Sequence, residues 1–121
     1  MRRQLYGEAA TEKLDSDLYV DDPIMEKFAE LTQEFIFGML WSRPGLDLKT
    51  RALVTVVSDA ATGQTDAVRL HLRFARRHGW AEDELVEVLL HLMGYVGVPL
   101  ARHALIAAKE TFKEMRAEAE A

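Results

Sequence analysis

Residues 48–79 read LKTRALVTVVSDAATGQTDAVRLHLRFARRHG, and this stretch decides the fold. Leu53, Val54, Val56, Val57, Ala60 and Ala61 make its first half apolar around most of a helical circumference. Val68, Leu72 and Ala75 then recur at i, i+4 and i+7, the stripe of an amphipathic helix. Gly63 suits the left-handed residue that ends a helix, and Gly79 ends the next one. Thr65 is the expected cap of that second helix. The pattern predicts helices over about 48–62 and 65–78, with the first, apolar nearly all round, at the centre.

Outward from this pair the same periodicity continues. Asp22-Pro23 is a helix start, with Asp at the N-cap and Pro at the first helical position. Ile24, Phe28, Leu31 and Phe35 then predict a helix over about 23–38. Trp41 to Asp47 is a turn-rich loop whose Asp47 can cap the helix beginning at 48. Downstream, Glu82, Asp83 and Glu84 put negative charge where a helix dipole favours it, opening a helix over about 82–95. Gly94 and Gly97 break that pattern and Pro99 restarts it, for a last helix over about 99–118 with fraying from Arg116 to Ala121. No segment alternates as a strand does. The expected fold is all-α: one helical domain over 23–118, a bundle of five to six helices, behind an N-terminal arm of residues 1–22.

Composition narrows the function. The chain has 121 residues, 49% hydrophobic and 29% charged, with a net charge of −5. That suits a globular domain rather than a disordered one. No basic stripe interleaves with aromatics, so no nucleic-acid partner is expected. No apolar run approaches the roughly 20 residues that span a bilayer. Met1-Arg2-Arg3 is followed by no apolar core of a signal peptide, which makes the cytoplasm the expected compartment. There is no cysteine, so disulfides, thiolate metal sites and thiol nucleophiles are excluded. The apolar surplus of the second and fifth helices points to a homo-oligomer.

The residues with chemistry to offer are few. His71 lies mid-helix among Ala67, Val68, Phe74 and Ala75. It reads either as a hydrogen-bonded core residue or as a group that titrates near neutral pH inside a pocket. His91 and Tyr95 are four apart and are expected to share a helix face. His103 opens the last helix, and His78, beside Gly79, suits a helix C-terminus as a structural residue. Arg43, on a stiff loop between Trp41 and Pro44, is placed to grip a carboxylate, or to lie on the surface. Arg51 and Arg73 are further candidate cations. No His-x-x-x-His or phosphate loop occurs, so neither a metal nor another cofactor is expected.

Several strings taken in order resemble the carboxymuconolactone decarboxylase family, within the AhpD-like superfamily. They are Phe37-Gly38, Trp41-x-Arg43-Pro44-Gly45-Leu46-Asp47, Thr50-Arg51, Arg69-Leu70-His71-Leu72-Arg73, Glu87-Val88-Leu89-Leu90-His91 and Tyr95-x-Gly97-Val98-Pro99. The resemblance implies an all-α fold in a trimeric or hexameric ring. It implies cofactor-free loss of carbon dioxide from a γ-lactone carboxylate, 4-carboxymuconolactone to the β-ketoadipate enol-lactone, in aromatic catabolism. Under it His71 is the proton donor, His91 and Tyr95 hold the lactone oxygen, Arg43, Arg51, Arg73 and His103 face the substrate, and Trp41 walls the pocket. Counting back from His71, the positions of the superfamily's peroxidatic Glu and CxxC fall on Ala52, Gln64 and Ala67, so thiol peroxidase chemistry is excluded. Decarboxylases of the family often carry an acid just before this histidine; here Ala67 stands one turn before it and Asp66 is the nearest acid. The alternatives are another cofactor-free lyase, isomerase or cyclase step on a related molecule, or a non-catalytic oligomeric binding protein.

Overall fold

Asp22 opens the chain that the computed structural model describes, residues 22–121; the N-terminal arm lies outside the described residues. Within them every regular element is a helix. The chain divides into two compact units, the first ending at Asp47 and the second running Leu48–Ala121.

In the first unit, Asp22 caps helix α1 (Pro23–Leu31): its Oδ1 accepts from the backbone N–H of Ile24 at 2.9 Å and of Met25 at 3.1 Å. The expected single α-helix to residue 38 does not continue. From Thr32 to Leu40 the chain widens into a π-helix, ending with the Trp41 N–H donating to the Ile36 carbonyl, five residues back, at 2.9 Å. Gly38 permits this, because a Cβ there would stand 3.0 Å from the Gln33 carbonyl oxygen. The Ser42 hydroxyl then donates to the Phe37 carbonyl at 2.8 Å and closes the turn.

The second unit holds α2 (Leu48–Ala61), α3 (Thr65–Arg77), α4 (Glu82–His91), a 3₁₀ turn (Leu92–Gly94) and α5 (Val98–Glu120). Helix α2 buries one face, Ala52, Val56 and Ala60, and leaves Val54 56% exposed, so it is not central all round. The core is built instead where α3, α4 and α5 present Val68, Leu72, Phe74, Leu85, Leu89 and Phe112. Each fully buried side chain of this size contributes about 1.5–3 kcal/mol. Alanines 101, 104, 107 and 108 give α5 a small-residue face, all of it buried. The Trp80 indole N–H donates to the Lys49 carbonyl at 2.7 Å, tying the start of α4 to the start of α2.

The turn between α2 and α3 sets their register. Gly63 has φ +73°, as expected for a left-handed helix end, and a Cβ there would meet Leu100 Cδ2 at 3.3 Å. Thr65 is not the cap; it is the first helical residue, and Gln64 occupies the cap position without a side-chain bond. Gly63→Ala is expected to cost about 1–2 kcal/mol, the strain of a left-handed L-residue, read as a lower urea midpoint with an unchanged m-value.

The last helix outruns its expected end. It stays helical to Glu120 because ion pairs hold its final turns: Arg73 with Glu114 and Glu118 of α5, and Arg116 with Glu82. The Glu118 carboxylate, hydrogen-bonded to it, raises the Arg73 guanidinium above its ordinary range against the opposing effect of burial. Both carboxylates are largely exposed, so solvent screening keeps each pair to at most about 1 kcal/mol.

Candidate active site

Arg73, a candidate cation for a ligand, is engaged by carboxylates of α5. Its guanidinium forks onto both oxygens of Glu118, at 2.9 and 3.0 Å, and reaches Glu114 at 3.1 Å. It anchors α5 to α3.

His71, two residues earlier and hence about 200° around the same helix, faces the other way, toward α2. Its Nδ1 is hydrogen-bonded to Oδ2 of Asp59, with side chains 20% and 15% exposed. The Phe74 ring, itself buried, stands edge-on to the imidazole with centroids 4.8 Å apart. The ring is thus held on two sides while staying in reach of solvent. A carboxylate this enclosed is costly unless paired, and the imidazole is its partner. Nδ1 facing a carboxylate carries the proton that they share, which leaves Nε2 as the nitrogen for other chemistry.

Asp59 is the residue that inspection of the sequence missed. The signal was the lone charged residue in the run Leu53–Ala61. What identifies its partner is the hairpin: the turn at 62–64 folds α3 back along α2 and brings residues twelve apart together.

His91 and Tyr95 form a second group. Tyr95 is not on the helix as expected, because α4 ends at His91 and the 3₁₀ turn intervenes. The two rings nevertheless stack, centroids 5.0 Å apart and 30° between planes. His91 lines an open hollow of about 710 Å³ with Val57, Glu87, Val88, Leu90 and Leu92. Glu87, one turn before His91 on the same face, stood in the string that carries the family resemblance but was not singled out as a site residue.

These two groups are not one cluster within a chain. Val57 reaches the hollow, whereas Asp59, two residues on and about 200° around α2, holds His71. His103 is exposed on α5, outside a second hollow lined by Met93, Val98, Arg102, Leu105, Ile106 and Lys109. Arg51 is half-buried on α2, two turns before Asp59, about 12 Å along the helix axis. In the first unit, Trp41 is buried and Arg43 exposed, its N–H donating to the Leu40 carbonyl at 3.3 Å. Among the described residues no group of three or more His, Asp or Glu is arranged to hold a metal ion, and no helix is long and apolar enough to cross a membrane.

Comparison with known proteins bears on this arrangement. Residues 26–110 match the model of the carboxymuconolactone decarboxylase family. The chain is 40% identical over 90 residues to a 4-carboxymuconolactone decarboxylase of Acinetobacter baylyi, covering 74% of this chain and 67% of that one. It is 31% identical over 115 residues to a nitrosuccinic acid decarboxylase of Metarhizium robertsii, covering 95% of this chain and 78% of the relative.

Proposed function

Because the chain belongs to the carboxymuconolactone decarboxylase family, we propose that it is a carboxy-lyase working without a cofactor on a small γ-lactone carboxylate of the 4-carboxymuconolactone type. Two relatives named as decarboxylases support loss of carbon dioxide. The observation that carries the reading to this chain's own residues is the half-buried His71 imidazole held by a carboxylate.

The chemistry asks for little more. When the bond to the carboxylate breaks, carbon dioxide leaves and its electron pair stays on carbon. In a carboxymuconolactone that pair spreads through the ring alkene to the lactone carbonyl; in nitrosuccinate it spreads onto the nitro group. Either anion needs one proton delivered to carbon, and His71 in its charged form supplies it from Nε2. Water then returns the proton to His71. A dianionic substrate meeting a chain of net charge −5 needs local cations, and Arg51 is the candidate on the helix that carries Asp59. Arg43 and Trp41 remain candidate binding residues, and His103 a peripheral one.

His91 and Tyr95 lie on another side of α2 from His71, so a role at the same reacting carbon would have to come from a second copy of the chain. Exposed Leu90 in that hollow, Tyr95 stacked on His91, and exposed Met93 and Val98 in the second hollow support a homo-oligomer. The test is direct. Purified full-length protein is incubated with γ-carboxymuconolactone and, separately, with nitrosuccinate, while released carbon dioxide is measured. Turnover of the lactone is expected. Turnover of nitrosuccinate alone would move the substrate class, and release from neither by folded protein would refute the reading.

A further inference from the structure

We propose that Asp59 is the positioning residue of the site: it fixes the His71 ring so that Nδ1 always holds a proton and Nε2 alone meets the substrate. This rests on His71 being the proton donor. Asp59 itself touches no substrate.

The geometry carries the inference. The His71 Nδ1–Asp59 Oδ2 bond joins two different helices, and both side chains are mostly enclosed. Asp59 follows the buried Val56 and precedes the buried Ala60 on a helix whose packed face is apolar. Stability alone gives little reason for a carboxylate here, since exchanging an enclosed ion pair for apolar side chains is often neutral or stabilising. The positions on α3 that share the ring's face, four and three before His71, hold Ala67 and Val68, and the nearest acid of that helix, Asp66, is five back. The orienting carboxylate comes from across the hairpin. With Phe74 against the ring edge, the imidazole has one orientation and one tautomer.

Such an arrangement makes the working nitrogen a property of α2, not of α3. A neutral imidazole free of its acid divides its proton between the two nitrogens. With Asp59 in place, the neutral ring keeps its proton on Nδ1 and the charged ring offers its only transferable proton from Nε2. Each turnover then begins and ends with the ring in the same register.

The test pairs a spectroscopic readout with kinetics. ¹⁵N chemical shifts of the histidine rings, with His71 assigned through His71→Gln, report which nitrogen is protonated, and they need no substrate. Wild-type protein is expected to show His71 as the Nδ1–H form when neutral. Asp59→Asn should convert much of it to the Nε2–H form. On whichever substrate is turned over, Asp59→Asn should lower kcat on the order of a hundredfold, within the range contributed by a positioned acid, and leave KM within about twofold. In a His71→Gln background the same change should have almost no further effect, because residues acting as a unit are not additive.

A wild-type His71 protonated on Nε2 when neutral would overturn the proposal, and this measurement needs no variant to fold. An Asp59→Asn enzyme with unchanged tautomer and kcat would overturn it too. So would an equal loss of kcat with and without His71. If neither acid is decarboxylated but the tautomer responds as expected, the positioning stands and the reaction assigned to the site fails.

Discussion

His71→Gln is expected to lower kcat by about 10²–10⁴-fold, the contribution of a positioned general acid, with much smaller change in KM. Glutamine is the informative replacement. Its amide N–H can still donate to Asp59, so the enclosed carboxylate is not stranded and the hairpin keeps its register. What it cannot do is carry and release a proton near neutral pH. Loss of turnover in a protein whose thermal midpoint is within a few degrees of wild type therefore isolates the proton transfer from the fold. Reaction of the lactone in D₂O adds a check: wild type should place deuterium on the ring carbon next to the lactone carbonyl, where the delocalised electron pair takes up its proton. A His71→Gln enzyme that retains wild-type turnover would leave the imidazole as a packed core residue and nothing more.

The second large effect is on stability. Phe74 is 1% exposed and among the largest fully enclosed side chains of the second unit. Phe74→Ala is expected to cost about 3–5 kcal/mol, the transfer of a ring plus the cavity it leaves. Against a total of about 5–15 kcal/mol for a domain, that is a large share, and the thermal midpoint should fall by at least about 10 °C. The same ring braces His71, so turnover should fall even where the variant is still folded. Phe74→Leu separates the two contributions: it refills much of the volume but presents no ring edge. Calorimetry and kcat on the two variants should therefore diverge. A fall of less than about 1 kcal/mol in Phe74→Ala would show that the core does not depend on this ring.

The helices were legible because their signals are local. Asp22-Pro23 opens α1, and Gly63 ends α2 in a left-handed conformation. Three features were not legible, each for a physical reason. The π-helical stretch Thr32–Leu40 keeps its apolar residues at spacings that an α-helix also fits; the decisive fact is Gly38 lying against the Gln33 carbonyl. The ion partners of Arg73, Glu114 and Glu118, could not be read locally because they are more than forty residues away. Asp59 was not singled out, since nothing local states that α3 returns along α2 in the register that meets His71. At the site, sequence reading singled out the imidazole and missed what holds it. It also grouped His71 with His91 and Tyr95, which a single chain sets on different sides of α2.

The tight turn at Thr62–Gln64 has a consequence for how the molecule assembles. The imidazole and its carboxylate are twelve residues apart, so meeting requires closure of one short loop, whose entropy cost grows only with the logarithm of its length. The α2–α3 hairpin can therefore organise its reactive pair early in folding, from local contacts, before the ion pairs that fasten the distant C-terminal turns are in place.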